Sequence, residues 1–305
     1  MSENKAGTYE GKEYNHNIRE RLDKNLSFWF LIPFVVFLLF LVIYPVIENL
    51  IISLEVPEGE SIFQNYIDFL TADIMKRVSY NTAVWLLGSV GFQFLVGMGL
   101  ALLLDHKIKG YVIFRTIIII LPWAIPDVVA GSVWRWMMND MYGVFNDILV
   151  QVGIIDNYIP WLAFPTTARM GVIIANIWKG FALSAMFYLA ALQTIPEEYY
   201  EVAKISGANA WQRLIYITLP SIKSVILTTL MLTTIWTINY FPLIWIMTEG
   251  GPSNHTDTFV TLAYKYAFRF LNFGDAAAVS NISFMIVFVI AVAYVSIIFS
   301  EEERN

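Results

Sequence analysis

The sequence contains no cysteine and little charge. Without cysteine, the chain can form no disulfide, no zinc–thiolate site and no thiol nucleophile. Charged residues make up 14% of the 305 residues, whereas soluble domains carry about 25%. Apolar residues account for 57%, and the mean hydropathy is +0.59. Because a chain surrounded by water could not bury so much apolar surface, the composition indicates a membrane protein.

Missing motifs exclude several kinds of activity. The Gly-x-Ser-x-Gly and His-Glu-x-x-His patterns of hydrolases are absent, and His16, His106 and His255 lie outside the apolar runs. A Walker-type Gly-x-x-x-x-Gly-Lys-Ser/Thr sequence is absent as well, so the chain cannot bind nucleotide in that way. No basic stripe suited to nucleic acid accompanies the net charge of −6. We therefore predict a protein that is not an enzyme and holds no metal or cofactor of its own.

Six apolar runs are long enough to cross about 30 Å of hydrocarbon at about 1.5 Å per residue. We expect a polar N-terminal tail over 1–27, one transmembrane domain over 28–299 and a short C-terminal tail over 300–305. Pro122 and Pro126 predict an opened helix within the third run. The predicted spans are 28–52, 82–104, 112–133, 170–192, 225–247 and 279–299.

The distribution of Lys and Arg predicts the orientation. If the N-terminus is cytoplasmic, the inner segments hold ten basic residues and the outer segments hold six. Positive residues are enriched in cytoplasmic loops, so this count favours an inner N-terminus. With six spans, both termini are then predicted to be cytoplasmic. The same topology places segments 53–79 and 134–169 outside and 193–224 inside.

The inner segment 196–220 has the clearest local pattern. Pro196 suits the first turn of a helix, and Gly207 suits a left-handed helix end. Asn209 and Gln212 have the spacing of a reciprocal helix cap. These residues predict two short helices joined at Gly207. The pattern leaves two interpretations open: an amphipathic elbow in the headgroup region, or a docking helix that fits a groove on a soluble partner.

This segment resembles the cytoplasmic EAA loop of permease subunits of binding-protein-dependent ABC importers. The matching residues are Glu201-Val202-Ala203, Gly207 and Leu219-Pro220. The resemblance implies an all-α membrane protein with about six transmembrane helices and a cytoplasmic coupling-helix loop, the type I ABC importer permease fold. It further implies that a group of residues in this loop couples to an ATPase: Glu198, Tyr199, Glu201, Val202, Ala203, Gly207 and Ala208.

The resemblance covers about residues 28–299 and is closest to carbohydrate importers, in particular the maltose-type first permease subunit. The segments 121–126, 176–180 and 250–252 carry it, with the sequences Leu-Pro-Trp-Ala-Ile-Pro, Asn-Ile-Trp-Lys-Gly and Gly-Gly-Pro. It implies that Gly250, Gly251 and Pro252 contact an external binding protein. It also implies a substrate path lined by Trp123, Asp127, Asn176, Lys179, Gly180, Leu183, Trp236, Asn239 and Tyr240.

The chemistry of these path residues suits a sugar. Aromatic faces stack on sugar C–H groups, while amide, carboxylate and ammonium groups bond hydroxyls. Asp127 and Lys179 are ionisable residues within predicted spans, where such residues are usually functional. The alternative for these two residues is a structural ion pair.

The resemblance implies a multi-pass protein of the inner or plasma membrane that works with several partners. These are a second permease subunit that is usually a different chain, two subunits that bind ATP and Mg²⁺, and an extracytoplasmic solute-binding protein. The transported solute would be a sugar or oligosaccharide, and the other contacts would be membrane lipid, with no nucleic acid. Two alternatives remain at this stage: an importer permease for glycerol-phosphate, polyamine or amino acid, and a secondary carrier that uses Asp127 and Lys179 for ion coupling.

Overall fold

The computed structural model describes residues 29–105 and 121–302, and the regular elements in these ranges are helices. Three parts of the predictions lie outside the described residues. They are the N-terminal tail 1–27, the beginning of the third predicted span at 112–120, and the last residues of the predicted C-terminal tail, 303–305.

The described ranges are built from a series of helices. A helical turn at 121–124 precedes α4. The helices are α1 Trp29–Ser53, α2 Gln64–Thr71, α3 Asp73–Leu104, α4 Asp127–Met137, α5 Val144–Gln151, α6 Pro165–Leu192, α7 Glu197–Ile205, α8 Ala210–Ser221, α9 Lys223–Ile238, α10 Pro242–Thr248, α11 Phe259–Phe268 and α12 Phe273–Glu302.

Four of these helices, α1, α3, α6 and α12, are long and apolar enough to cross a membrane. The α8–α9 pair forms a fifth such element in the described ranges, bent by 71° at a break. The predicted span 225–247 is interrupted, because α9 ends at Ile238 and α10 begins at Pro242. Pro242 has no N–H to continue the helical hydrogen bonds, which explains the interruption. The last span begins earlier than expected, at Phe273.

The α3–α6 pair forms the centre of the fold. The two helices approach closely at Gly97, where a Cβ atom would lie 2.7 Å from the Cβ of Ser184. Ala101 and Ala185 are fully buried nearby, and the ring of Tyr188 packs edge-on against Phe94. Small residues bring membrane helices together in this way, because association in lipid depends on close packing instead of water exclusion.

Polar contacts join the first and last helices. Asn49 in α1 donates to Asn281 in α12 at 2.7 Å, and Asn281 donates to the Tyr66 hydroxyl in α2 at 2.9 Å. The Tyr66 hydroxyl also lies 2.7 Å from the Ser53 hydroxyl. Apart from this contact, most of α1 is exposed apolar surface, which a lipid environment requires.

Candidate functional site

A cavity of about 390 Å³ lies between α3, α6, α9 and the break that precedes α4. Helices cross a membrane side by side, so a cavity between them is enclosed by side chains from residues distant in sequence. Its lining consists of Gln93, Trp123, Ala124, Ile125, Pro126, Asp127, Asn176, Lys179, Gly180, Leu183, Thr233, Trp236, Thr237 and Tyr240.

The break at Pro126 forms one wall of this cavity. Pro126 has an extended backbone, with φ of −56° and ψ of 141°, and α4 begins at Asp127. Its carbonyl accepts the first hydrogen bond of α4 from the Ala130 N–H at 2.9 Å. The chain therefore turns at the cavity and places the Asp127 side chain at the first position of a new helix.

Lys179 reaches this break from α6. Its ammonium group donates to the Ile125 carbonyl and, at 3.4 Å, to the Trp123 carbonyl. It also lies 3.2 Å from Oδ1 of Asp127, whose side chain is 35% exposed while that of Lys179 is 12% exposed. The two charges that the sequence placed in separate spans are thus a pair.

The opposite wall is a polar contact between α3 and α6. The buried Gln93 amide donates to the Asn176 carbonyl at 3.0 Å. Gly180 lies beside this amide, and a Cβ atom there would overlap it. The side-chain nitrogen of Asn176 is buried without a hydrogen-bond partner among the described residues. Gln93 and Asn176 give this wall of the cavity its polar character.

Two indole rings flank the polar walls. The side chains of Trp123 and Trp236 are 60% and 55% exposed, although both line the cavity. The cavity thus combines exposed aromatic faces with a carboxylate and neutral polar groups, an arrangement that suits a hydroxyl-rich solute.

The elbow over 196–220 has the predicted form. α7 ends before Gly207, whose φ is 81°, and the N–H of Ala208 bonds the Ala203 carbonyl at 2.9 Å. Asn209 and Gln212 form the expected reciprocal cap, with bonds of 2.8 and 2.9 Å. The prediction of two short helices joined at Gly207 is confirmed.

The elbow exposes most of the residues that the sequence assigned to docking. Tyr199 and Val202 are 55% and 64% exposed, and Glu198, Glu201 and Gly207 are also exposed. The other two members, Ala203 and Ala208, are half-buried. A helix whose outer face met only water would carry polar side chains there. The exposed Tyr199 and Val202 distinguish α7 from such a helix.

A contact joins the two helices of the elbow. The Tyr200 hydroxyl in α7 lies 3.0 Å from the Thr218 hydroxyl in α8. Because α8 meets α9 at the 71° bend, this contact connects α7 to the element that continues into the cavity-lining helix.

The loop over 249–258 is built around a buried ion pair. Lys265 lies 2.6 Å from Asp257, and both side chains are nearly inaccessible. Gly250, with φ of 81°, packs directly against this pair. Burial raises the pKa of the Asp257 carboxyl, and the hydrogen bond from Lys265 offsets part of that rise. The loop also borders a second cavity of about 380 Å³ that Gly251 and Pro252 help to line.

Residues 93–300 match the family described as the inner membrane component of binding-protein-dependent transport systems. The chain belongs to this family. It is therefore a multi-pass inner membrane protein and a permease subunit of a transporter.

Similar proteins extend this match beyond the family domain. The permease is 38% identical to a probable ABC transporter permease protein of Brucella suis biovar 1 over 229 residues, which cover 75% of this chain and 78% of the relative. It is 31% identical to the trehalose/maltose transport system permease protein MalF of Thermococcus litoralis over 292 residues, which cover 93% and 98%.

The fold matches a solved transporter structure. A chain of the bacterial alginate ABC transporter, in complex with its alginate pentasaccharide-bound periplasmic protein, superposes with a TM-score of 0.79 at 23% identity. The match covers 90% of this permease and 94% of that chain. The permease therefore has the type I ABC importer permease fold.

The structure brings together eight of the nine residues predicted to line the path. Asn239 is the exception, because its side chain turns back to bond the Ile235 carbonyl at 2.9 Å and does not line the cavity. Sequence reasoning missed Gln93, Thr233 and Thr237. Their signal was available: each is a hydrogen-bonding side chain in a span without formal charge, and Thr233 and Thr237 share a face of α9 with Trp236.

Proposed function

We propose that this permease subunit forms part of the path of a sugar or oligosaccharide through an ATP-driven importer. The observation that carries the proposal is the cavity itself, in which exposed indole rings lie beside carboxylate, amide and hydroxyl side chains. A sugar presents C–H faces to aromatic rings and hydroxyls to polar groups, so one small solute satisfies both kinds of wall. The names of the relatives support the same solute class, since they refer to trehalose, maltose and alginate.

The energy for transport comes from partner subunits in this proposal. Two ATP-binding subunits would hold ATP and Mg²⁺, and the permease would hold no cofactor. The exposed elbow supports this division, because Tyr199, Glu201 and Val202 present a mixed apolar and acidic surface suited to a groove on a soluble protein. Gly207 would set the angle between the two helices of the elbow.

The orientation follows from the same assignment. The elbow and both termini would face the cytoplasm, in agreement with the distribution of Lys and Arg. The loop that contains Gly250, Gly251 and Pro252 would then lie outside and contact a solute-binding protein. α9 and α10 separate the elbow from this loop, which is consistent with opposite sides of the membrane.

A second permease subunit would complete the path. The rings of Trp123 and Trp236 line an open face of the cavity, where both are exposed. A partner of related fold, expected to be a different chain, would cover this face and contribute the remaining wall.

Transport would proceed by alternating access. Closure of the ATP-binding subunits would move the elbows, and the bend at α8–α9 would convert that movement into a rotation of α9 against α3 and α6. Asp127, Asn176 and Tyr240 would lose or gain contact with the solute as the walls separate.

Reconstitution of the permease with its partner subunits and binding protein tests this function. We expect ATP-dependent uptake of a neutral sugar. Asp127→Asn and Asn176→Ala should each lower that uptake at least tenfold, since each removes a polar group from the cavity. Val128→Ala, outside the cavity lining, serves as the control and should retain most of the rate.

Other outcomes of this experiment would contradict the proposal. Uptake of glycerol-phosphate, a polyamine or an amino acid in place of a sugar would reassign the solute class. Transport by the permease alone, driven by an ion gradient without ATP, would instead show a secondary carrier.

A further inference from the structure

The ammonium group of Lys179 has as many acceptors as it has hydrogens. A lysine carries three N–H donors and no acceptor. The three acceptors near Lys179 are the carbonyls of Trp123 and Ile125 and Oδ1 of Asp127. All three belong to residues 123–127, around the break that precedes α4, while Lys179 itself lies in α6. The ammonium therefore donates two hydrogen bonds within the chain and has Asp127 as its ion-pair partner.

The break needs such a donor. Pro126 turns the chain out of the helix with ψ of 141°, so the carbonyls of Trp123 and Ile125 accept no backbone hydrogen bond from the described residues. Lys179 donates to two carbonyls next to the break and neutralises Asp127, which begins the next helix.

Exposure separates the roles of the two charges. The Asp127 side chain is 35% exposed, and the Lys179 side chain is 12% exposed. A carboxylate accepts about four hydrogen bonds, and Lys179 lies against one oxygen of Asp127, Oδ1. The more exposed carboxylate thus keeps acceptor capacity, whereas the more buried ammonium faces acceptors of its own chain.

We propose that Lys179 is a positioning residue that holds the Pro126 break in shape and fixes Asp127 at the cavity wall, without contacting the solute. The inference rests on the proposed function, since it assigns roles within the same cavity. It decides between the two interpretations that the sequence left open for this pair: the lysine is structural, and the aspartate is the charge that meets the solute.

Hydrogen–deuterium exchange on the assembled, solute-free transporter tests the positioning role. We expect Lys179→Met to speed exchange at least threefold in peptides covering 121–130, because the break loses its donor. Lys179→Arg should stay within about twofold of wild type, since a guanidinium retains charge and several donors. Leu183→Ala, a change in the same cavity lining, is the matched control and should leave these peptides unchanged.

Uptake measurements then separate positioning from direct contact with solute. Lys179→Met should reduce uptake, and Lys179→Arg should recover at least half of the wild-type rate. The proposal is overturned if Lys179→Met leaves exchange unchanged but abolishes uptake, or if Lys179→Arg exchanges as wild type but transports no better than Lys179→Met. If the Lys179→Met variant fails to assemble, Lys179→Gln replaces it. We expect its exchange rate to lie between that of wild type and that predicted for Lys179→Met. An exchange rate equal to wild type would overturn the proposal.

The two proposals fail in different ways. If the wild-type complex moves no sugar, the proposed function fails, but the exchange comparison uses no solute and still decides the role of Lys179.

Discussion

The elbow at Gly207 and the loop at Gly250 contain the same backbone conformation in opposite surroundings. Both glycines have φ of 81°, a region that other residues enter only at a cost. No neighbouring atom lies within 4 Å of where a Cβ of Gly207 would be. At Gly250, a Cβ would overlap the Asp257 carboxylate and lie 2.6 Å from the Lys265 ammonium.

The two segments also differ in where their hydrogen bonds come from. The elbow is held by close neighbours in sequence, such as the reciprocal cap of Asn209 and Gln212. The loop is held from a distant helix, because Asn81 in α3 donates to the carbonyls of Asn254 and Asp257 at 2.9 and 3.1 Å. A locally held elbow can move as a unit on its span, whereas the loop is fixed to the helix bundle.

Gly250→Ala should produce the largest effect of the changes that test this comparison. The new methyl group must displace Asp257 or Lys265, and breaking a buried ion pair costs about 3–5 kcal/mol. The backbone strain adds about 1–2 kcal/mol. We expect a clear fall in the midpoint of thermal unfolding of the purified complex. Gly251→Ala is the control, since the φ of Gly251 is not positive and its new Cβ would lie 3.1 Å from the Thr248 carbonyl oxygen. An equal fall in the unfolding midpoint of both variants would contradict this interpretation of Gly250.

Lys265→Met should destabilise the protein by a similar or slightly smaller amount. It leaves the Asp257 carboxylate buried without its cation, at a cost of about 3–5 kcal/mol. Adding Asp257→Asn should restore part of that stability, because the unpaired charge is removed. Thermal unfolding of the single and double variants measures this coupling, and strictly additive losses would show that the pair does not hold the loop.

Gly180→Ala should have an intermediate effect, centred on the cavity. The added methyl group would push the Gln93 amide away from the Asn176 carbonyl, and an unsatisfied buried amide costs about 1–3 kcal/mol. Sugar uptake should fall together with stability. Gly91→Ala in α3 has open space around it and is the matched control; a loss of uptake in that variant as large as in Gly180→Ala would argue against a specific contact with Gln93.

Gly207→Ala should be the mildest change for stability and the most selective for coupling. With open space around it, the alanine meets only the backbone strain of about 1 kcal/mol. Gly207→Val should insert normally but reduce uptake per ATP hydrolysed, since the elbow angle changes. The ratio of uptake to ATP hydrolysis measures this effect, and an unchanged ratio in the valine variant would count against a docking role for the elbow.

The helices that cross the membrane were largely predictable, because the hydropathy of consecutive residues identifies them. Apolar runs longer than a bilayer crossing identified α1, α3, α6 and α12. The elbow was predictable for a related reason, because capping residues and a helix-ending glycine act on their immediate neighbours. The interruption at 239–241 was missed, since the run from 225 to 247 stays apolar and only Pro242 marks the new helix.

The candidate site was predictable by resemblance and only partly by chemistry. Gln93 was missed because one amide in an apolar run does not reveal which helix it faces. Asn239 was assigned to the path by resemblance, as part of the predicted fifth span, but its amide bonds the Ile235 carbonyl of the preceding helix. Lys265 was counted as a basic loop residue, whereas it is buried against Asp257; a sequence shows charges and not their pairing.

The sequence alone determined that the chain lies in a membrane, where most of its spans fall and that an elbow follows the fourth of them. These properties depend on hydropathy and on hydrogen bonds between near neighbours, and both follow from the order of residues in the chain. Only the tertiary structure decided that Lys179 satisfies the Pro126 break, that Gln93 meets Asn176 and that an ion pair holds the loop at Gly250. Each of these depends on which helix faces which, and that is fixed by packing of the whole bundle.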